Sequence, residues 1–354
     1  MTMEGIESIV ESHNCELWGI AALKEDLVTF ERFTSWLSKK NHASMNWLEN
    51  HLPQRRDPSL VEKTCNRAIL IGIPYFIDQS NVKRQGLETV SKVASYARYE
   101  DYHKFVSRTG KSICEALKSR FDPESLYKWR PVSDSIPLLE RSLHSHFTGA
   151  FVGKNTMVIH PQRGSWYLLM EILTSYPLDP TPVKPKESHS RTPNGGCGTC
   201  RRCQVYCPTG ALDTDYVLDA SKCLSYLTIE HRSLIPLKFW KHFSKYWYGC
   251  DICQNVCPYN RAAKPGSPMA LKFDVDRDLF DLVRMSQLHY EQWFGGTPMT
   301  RAKRNGLRRN AFIAMAALGD PRLPEAIKCL SIDEDQMLVD TANQAHQFLN
   351  GEEN

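Results

Sequence analysis

The stretch CGTCRRCQVYCPTGAL, residues 197–212, contains four cysteines separated by two, two and three residues, with a proline directly after the last of them. A second stretch, YGCDICQNVCPYN at residues 248–260, repeats the two-residue and three-residue spacings and the final Cys-Pro pair. One further cysteine, Cys223, stands between them. Reduced cysteines at such spacings can bind one metal centre together. The pattern therefore indicates a metal-binding module over residues 197–261.

This spacing is that of bacterial two-cluster ferredoxins, in which the cysteine before the proline binds the cluster of the other run. The pattern predicts two [4Fe–4S] clusters, close enough to exchange electrons. The first would be bound by Cys197, Cys200, Cys203 and Cys257. The second would be bound by Cys207, Cys223, Cys250 and Cys253. A pair of structural Zn(Cys)₄ sites is the alternative, and the two Cys-Pro ends disfavour it.

The composition, with 42% hydrophobic and 24% charged residues among 354, is that of an ordinary soluble protein. No window approaches the roughly 20 uninterrupted apolar residues of a membrane helix. The first residues have no basic segment before an apolar run, so no signal peptide is expected. We therefore expect a cytoplasmic protein, in which cysteines stay reduced. The remaining cysteines are expected to be buried, unreactive thiols: Cys15, Cys65, Cys114 and Cys329.

Hydrophobic periodicity predicts four parts. They are a mixed α/β domain over residues 1–180, a linker over 181–196, the cysteine module over 197–261, and a helical region over 262–354. Within the first part, strands are predicted at Leu17–Leu23, at Arg67–Phe76, and around residues 153–160 and 165–174. Helical spacing covers residues 86–120, and a loop followed by a helix is predicted over residues 122–147.

The segment RAKRNGLRR, residues 301–309, concentrates basic side chains without an acid: Arg301, Lys303, Arg304, Arg308 and Arg309. A basic patch of this kind can neutralise the phosphates of a nucleic acid. A solvated helix face is the alternative interpretation.

Two clusters carry single electrons, so the upstream domain is expected to hold an acceptor. That domain has neither a G-x-G-x-x-G fingerprint nor a P-loop. The cobalamin motif D-x-H-x-x-G is approached only at residues 101–106, where the final glycine is missing. Cobalamin bound through a protein histidine is therefore not supported.

Further segments extend the pattern over nearly the whole chain. They are QRRDPSL (54–60), ARYEDYHKF (97–105), VSDSIPLLER (132–141), VGKNTMVI (152–159), RGSWYLLMEI (163–172), LDASKCLSYLTIEHR (218–232) and NGLRRNAFIA (305–314). With the two cysteine runs, they make the chain resemble the epoxyqueuosine reductase family. This combination is far more specific than the cysteine motif alone.

The resemblance implies an α+β fold. Its core would be a cobalamin-binding α/β domain like those of nitroreductases and reductive dehalogenases, with an inserted two-cluster ferredoxin-like module and a short HEAT-like helical region. It implies base-off cobalamin beside the clusters, and reduction of epoxyqueuosine to queuosine at the wobble position of a tRNA with a GUN anticodon. Electrons would come from an external low-potential donor, and we expect a monomer without a membrane partner.

Asp134, in the loop VSDSIP, matches the position of the acid that protonates the departing oxygen in this family. That role would require a pKa raised by burial. A simple N-cap of the following helix is the alternative.

Given the resemblance, contacts to cobalamin are expected at Arg56, Asp134, Lys154, Asn155, Val158, Ser165, Trp166 and Ser225. An ion pair of Arg56 with a nearby acid and a core position for Trp166 are the alternatives. Contacts to tRNA are expected at Arg232, Arg301, Lys303, Arg304, Arg308 and Arg309.

Two other functions stay open. A reductive-dehalogenase-like enzyme acting on a small molecule would normally carry a twin-arginine signal, which is absent here. A ferredoxin-type electron-transfer protein would not need the long upstream domain.

Overall fold

The structure is a computed structural model that describes residues 3–77, 92–181, 196–261, 263–272 and 277–351. Its strands are, in chain order, β1 (Glu16–Ala22), β2 (Arg67–Pro74), β3 (Lys92–Val93), β4 (Trp129–Val132), β5 (Phe151–Val152), β6 (Val158–Ile159), β7 (Tyr167–Thr174) and β8 (Tyr246–Tyr248). Its helices are α1 (Met3–Ser12), α2 (Leu27–Ser38), α3 (Leu52–Arg56), α4 (Tyr102–Phe121), α5 (Glu140–Phe147), α6 (Arg202–Tyr206), α7 (Leu224–Ile229), α8 (Ile252–Asn255), α9 (Leu279–Val283), α10 (Gln287–Phe294), α11 (Lys303–Leu318), α12 (Leu323–Ser331) and α13 (Gln336–Leu349).

The centre of the upstream domain is a four-stranded antiparallel sheet in the order β1–β2–β7–β4. β2 is an almost unbroken apolar run because both of its faces are covered. Ile69, Ile71 and Ile73 face a core shared with α1 and α4, whereas Ala68 and Leu70 face a second core shared with α5. The sheet is therefore the middle layer between helices.

The cysteine module and the C-terminal helices share one hydrophobic core. Trp240 and Tyr248 from the module region are fully buried against Phe312 and its neighbours in α11. The short strand β3 pairs in parallel with β8, which ties the upstream chain to the module. Among the described residues, no helix combines the length and apolar character needed to cross a bilayer.

The structure confirms a mixed helix and sheet fold, and it differs from the sequence expectations in detail. Of the predicted helix over residues 86–120, the part at 86–91 lies outside the described residues. In the described part, α4 begins at Tyr102, where Asp101 accepts a hydrogen bond from the N–H of His103 and caps the helix. β4 was not predicted, because it is short and contains Pro131. An edge strand tolerates that proline. The predicted linker, residues 181–196, lies almost entirely outside the described residues.

Candidate active site and cysteine centres

The first group of cysteine sulfurs joins the run at residues 197–203 to the end of the second run. The pKa of Cys203 is raised to about 11 by burial and by the neighbouring Cys197, Cys257 and Cys200. The pKa of Cys257 is likewise raised by burial, with Cys197 and Cys200 adding to the rise. Such coupling requires the sulfurs to lie close together, because Coulomb interactions fall with distance.

The second group contains the remaining cysteines of the module. Burial raises the pKa of Cys223, and Cys207 adds to that rise. The pKa of Cys250 is raised by burial and by Cys223 and Cys207. Cys253 interacts with Cys250 and Cys223 and, less strongly, with Cys203. The pKa of each of these cysteines is thus affected by cysteines with which the crossed spacing groups it, and Cys253 also interacts with Cys203. The assignment of ligands to each cluster stays a prediction.

Backbone N–H groups point at several of these sulfurs. The N–H of Lys154 donates to Cys197 Sγ at 3.4 Å. Cys223 accepts from the N–H groups of Tyr226 and Ser225 at the start of α7, and Cys257 accepts from two N–H groups that follow it. Hydrogen bonds of this kind stabilise thiolates and tune the potential of a cluster. These N–H groups are donors of the kind that cluster-bound thiolates accept. In the part of the chain that the structure describes, no three Cys, His, Asp or Glu side chains are arranged to hold a single metal ion.

A buried polar network fastens the module to the sheet. Asn260 Oδ1 accepts from the N–H of Ser165 at 2.7 Å, and Gln254 Nε2 donates to the carbonyl of Ser165 at 2.9 Å. A side chain at Gly164, which has a φ of +79°, would meet Asn260 Oδ1 at 2.2 Å. The close approach of strand and module therefore requires glycine at this position.

This packing removes three of the residues predicted to contact cobalamin. Ser165 and Trp166 are 1% and 2% exposed, and Trp166 packs on Tyr75 and Phe76. Val158 lies in the core between the sheet and α5. Their side chains are spent on the fold, so the prediction of cofactor contacts was wrong for Val158, Ser165 and Trp166.

The turn between β5 and β6 links the cysteine module to α5. Lys154 is buried and pairs with Asp215 at 2.9 Å, which raises the pKa of Lys154. Asn155 Nδ2 donates to the carbonyl of Cys253 at 3.4 Å. From the other side, Arg141 Nη1 donates to the carbonyl of Thr156 at 2.9 Å. This is a contact path from the second cysteine group to the helix that follows the Asp134 loop.

Asp134 lies half-exposed in the loop between β4 and α5. Tyr102 Oη donates to its Oδ2 at 2.5 Å, and His103 Nε2 lies 3.2 Å from its Oδ1. The other ring nitrogen of His103 lies 2.9 Å from Asp101 Oδ1. Asp134 is not an N-cap, because α5 begins at Glu140 and has no side-chain cap. The N-cap alternative was therefore wrong.

The charges around Asp134 differ from the sequence expectation. Burial acts to raise the pKa of Asp134, but the hydrogen bonds from His103 and Tyr102 outweigh it and lower the pKa overall. The carboxylates of Asp101 and Asp134 raise the pKa of His103 to about 10. Near neutral pH the carboxyl of Asp134 is therefore ionised and His103 carries the proton. Both ring nitrogens of His103 are engaged, so neither is available to a metal.

Beneath this loop lies a buried acidic pair. Glu171 in β7 is fully buried, lies 3.0 Å from His144 Nε2, and is hydrogen-bonded to Glu140 at the start of α5. Burial and the nearby Glu171 raise the pKa of Glu140. Two buried carboxyl groups can share a hydrogen bond only if one of them is protonated.

Two further residues predicted to contact cobalamin, Arg56 and Ser225, are not fully buried. Arg56 is half-exposed, pairs with Glu25, and lines a cavity of about 560 Å³ together with Leu139 and Ser142. Ser225 is partly buried beside Cys223.

The basic run divides into an accessible end and a buried end. Arg309 is 0% exposed and donates to the carbonyls of His231, Ser233 and Leu227, and Arg308 pairs with Asp333 at 2.6 Å. Arg308 and Arg309 are therefore corrected from tRNA contacts to structural residues. The other basic side chains keep exposed or half-exposed surface: Arg232, Arg301, Lys303 and Arg304.

Sequence reasoning missed Tyr102, His103 and Arg141 as site residues. All three stand in segments that carried the resemblance, but only the fold brings α4 against the Asp134 loop. Arg301 also belongs near this site, because Asp134 and Tyr102 contribute to its raised pKa after its bidentate partner Glu230.

Two adjoining cysteine groups, fastened to a sheet domain beside a carboxylate held by histidine and tyrosine, define an iron–sulfur oxidoreductase. Residues 196–260 match the family model described as a 4Fe-4S double cluster binding domain. Residues 55–135 match the model described as epoxyqueuosine reductase QueG, DUF1730. The chain belongs to the epoxyqueuosine reductase family.

Curated relatives support this membership along most of the chain. The epoxyqueuosine reductase of Cyclobacterium marinum is 31% identical over 280 residues, which cover 79% of this chain and 86% of the relative. The enzyme of Gloeobacter violaceus is 33% identical over a region that covers 82% of this chain and 88% of the relative. The enzyme of Vibrio cholerae is 32% identical over 83% of this chain and 78% of the relative.

Solved structures share the fold. The epoxyqueuosine reductase of Streptococcus thermophilus superposes with a TM-score of 0.85, at 22% identity, over 99% of this chain and 91% of that chain. A second epoxyqueuosine reductase, crystallised with an epoxyqueuosine-modified tRNA-Tyr stem loop, superposes with a TM-score of 0.76 over 97% and 89% at 22% identity.

Proposed function

We propose that this protein reduces the epoxide of epoxyqueuosine to the alkene of queuosine at the wobble position of a tRNA with a GUN anticodon. The observation that carries this proposal is identity above 30% to curated epoxyqueuosine reductases over about four fifths of the chain. The reaction takes up two electrons and two protons, breaks both bonds to the epoxide oxygen, and releases water.

The two clusters supply the electrons one at a time. The first holds Cys197, Cys200, Cys203 and Cys257 as ligands, and the second holds Cys207, Cys223, Cys250 and Cys253. Cys203 and Cys253, one from each set of ligands, interact electrostatically, so the two clusters would adjoin there and electron transfer between them would be direct. An external low-potential donor reduces them.

Cobalamin, bound base-off, is the proposed two-electron centre beside Asp134, and when bound it supplies a strongly nucleophilic metal. The chain fits this group in two respects. His103, the histidine that contacts Asp134, has both ring nitrogens engaged and offers no metal ligand. Hydrogen bonds of Arg141 and Asn155 connect α5 to the carbonyl of Cys253. Arg56, Lys154, Asn155 and Ser225 are the remaining candidates for cobalamin contacts.

Asp134 is the residue that protonates the departing oxygen. Its carboxyl is half-exposed and lies in the loop that precedes α5. Arg141 of α5 donates to the turn at Thr156, and Asn155 in the same turn donates to the carbonyl of Cys253. The carboxyl is therefore accessible to a substrate that arrives from solvent.

The tRNA is held by the accessible end of the basic run. Arg301 and Lys303 are exposed, and Arg301 is near enough to Asp134 to interact with it electrostatically. Arg232 and Arg304 flank this surface. Phosphates of the anticodon loop would bind here while the modified base is extruded towards Asp134.

The proposed organisation of the chain has four parts. The cobalamin-binding domain covers residues 1–180 with a nitroreductase-like core, the linker 181–196, the cluster module 197–261, and a HEAT-like tRNA-binding region 262–354. The protein acts as a cytoplasmic monomer.

Nucleoside mass analysis of tRNA from a strain lacking this gene tests the function. The strain should accumulate epoxyqueuosine and lack queuosine, and a plasmid copy should restore queuosine. Normal queuosine in the deletion strain would contradict the proposal.

A further inference from the structure

The proposed reduction needs two protons, and one carboxyl group can donate only one of them before it must be protonated again. This inference rests on the proposed function and concerns where the second proton comes from. Because hydrogen bonds from His103 and Tyr102 hold the pKa of Asp134 below its usual value, its carboxyl is ionised near neutral pH, and even the first proton has to reach it from another group. Three side chains donate to its oxygens: Tyr102, His103 and, at the longer distance of 3.5 Å, the hydroxyl of Ser133. The two closer groups, Tyr102 and His103, are the candidates.

His103 is placed between two carboxylates. Its Nε2 lies 3.2 Å from Asp134 Oδ1 and its Nδ1 lies 2.9 Å from Asp101 Oδ1. Asp101 is fixed in turn, because its carboxylate caps α4 and its N–H donates to the carbonyl of Gly296 at 2.7 Å. The ring of Tyr102 stacks on that of His103 with centroids 4.1 Å apart. The imidazole is therefore held in one orientation towards Asp134.

His103 also reaches solvent. Its side chain is 48% exposed, and it lines one end of a groove of about 630 Å³ along α4, with Lys104, Ser107 and Arg108. Tyr102, by contrast, has a pKa raised by burial and by Asp134, so it keeps its proton. Only the histidine combines a mobile proton, contact with Asp134 and access to water.

We propose that His103 is the proton relay that loads and reloads Asp134 during the reduction. The proton moves from His103 Nε2 to Asp134 Oδ1 and then to the epoxide oxygen as the first C–O bond breaks. Neutral His103 takes a proton from water in the groove and passes it on by the same route. The second proton leaves with the hydroxyl as water when the second C–O bond breaks and the alkene forms. Both electrons come from the external donor through the clusters.

The charged and titratable groups around this relay set its pH range. They are Asp101, Tyr102 and Lys104 from α4 and its cap, Tyr96 before it, Glu140 and Glu171 beneath the loop, and Arg301 from the basic run. Asp101 contributes most to the raised pKa of His103, so replacing it should move the alkaline limit of activity to lower pH.

The test uses the holoenzyme, with both clusters and cobalamin, a chemical reductant, and tRNA carrying epoxyqueuosine. His103→Gln keeps an N–H for Asp134 but carries no ionisable proton. It should lower kcat by about 100-fold or more with little change in KM. His103→Ala should be similarly slow, and added imidazole should restore much of its activity. Asp101→Asn can still cap α4 and should shift the alkaline limb of the pH–rate profile to lower pH.

His13→Gln is the matched control, because His13 bonds Ser112 at the far end of the groove and should leave kcat unchanged. Iron content and visible spectra show that each variant is folded. His103→Gln within threefold of the wild type, or His103→Ala that imidazole does not rescue, would overturn the relay. A wild-type holoenzyme that makes no queuosine would instead defeat the proposed function itself.

Discussion

At Asp134, two effects act on one carboxyl group in opposite directions. Burial favours the neutral acid, whereas hydrogen bonds from His103 and Tyr102 favour the carboxylate and outweigh it. The position identified by resemblance is thus poised as a base that is loaded by a neighbour, rather than as a permanently protonated acid. Under the proposed function, the catalytic acid is therefore the pair of Asp134 and His103.

Asp134→Ala should lower kcat by about 100-fold or more, because the variant lacks the carboxyl group proposed to protonate the departing oxygen. Iron content and the visible spectrum should be unchanged, since the loop makes no contact with a cysteine sulfur. Anaerobic assay of the purified variant measures both. An active variant would remove Asp134 from the mechanism.

The crossed grouping of cysteines makes a second prediction for single residues. Cys207→Ala and Cys250→Ala should damage the same cluster and give matching electron paramagnetic resonance spectra. Cys203→Ala should leave a different spectrum, because it belongs to the other group. Cys329→Ala, outside both groups, is the control. A match between Cys207→Ala and Cys203→Ala would contradict crossed binding.

At the residue scale, the sequence was informative where chemistry depends on spacing. The intervals between cysteines indicated both groups, including the distant Cys223. It was uninformative about Val158, Ser165 and Trp166, because their burial depends on which surface the module covers. It also did not show that His103 meets Asp134, since that contact joins residues far apart in the chain.

Among the elements, α11 shows why charge alone misleads. The sequence of this segment predicts an exposed basic face. In the structure, however, α9, α13 and residues 237–244 pack against several sides of the helix. The buried guanidinium of Arg309 is tolerated because three backbone carbonyls accept from it. The accessible surface is confined to the N-terminal end of the run.

Arg309→Met should therefore weaken folding rather than RNA binding. It removes the donors of three backbone carbonyls, one in a buried and two in partly buried hydrogen bonds, and the free energy of unfolding should fall by about 2–4 kcal/mol. Arg284→Met, at an exposed position, should change it by less than about 0.5 kcal/mol. Denaturant unfolding and tRNA binding below the transition test this. Weakened binding by a fully folded Arg309→Met would contradict it.

The pair of Glu140 and Glu171 connects α5 to β7 and makes stability depend on pH. Because the pKa of Glu140 is raised in the folded state, its stabilising contribution is present at low pH and declines as pH rises above about 4.3. Between pH 5 and pH 8, the Tm of Glu140→Gln should fall less than that of the wild type. The surface variant Glu31→Gln should show the same change of Tm with pH as the wild type. An equal change of Tm with pH in all three proteins would refute the shared proton.

At the scale of the whole molecule, a mixed helix and sheet fold and the position of the double-cluster module could be predicted from hydrophobic periodicity and the cysteine runs. Their packing could not. Val93 from the upstream chain, Trp240 from the module region and Phe312 from α11 lie in one core, although the sequence suggests three separate units. Long-range contacts of this kind leave no local pattern, and they bring Arg301 within electrostatic range of Asp134.

The central claim is that this chain converts epoxyqueuosine in tRNA to queuosine. Its most direct test is an anaerobic incubation of the reconstituted holoenzyme, a low-potential reductant and tRNA carrying epoxyqueuosine, followed by mass analysis of the nucleosides. We predict loss of one oxygen atom from the modified nucleoside, with queuosine formed by the wild type and not by Asp134→Ala. Unchanged epoxyqueuosine after incubation with a wild-type protein that contains both clusters and cobalamin would contradict the account.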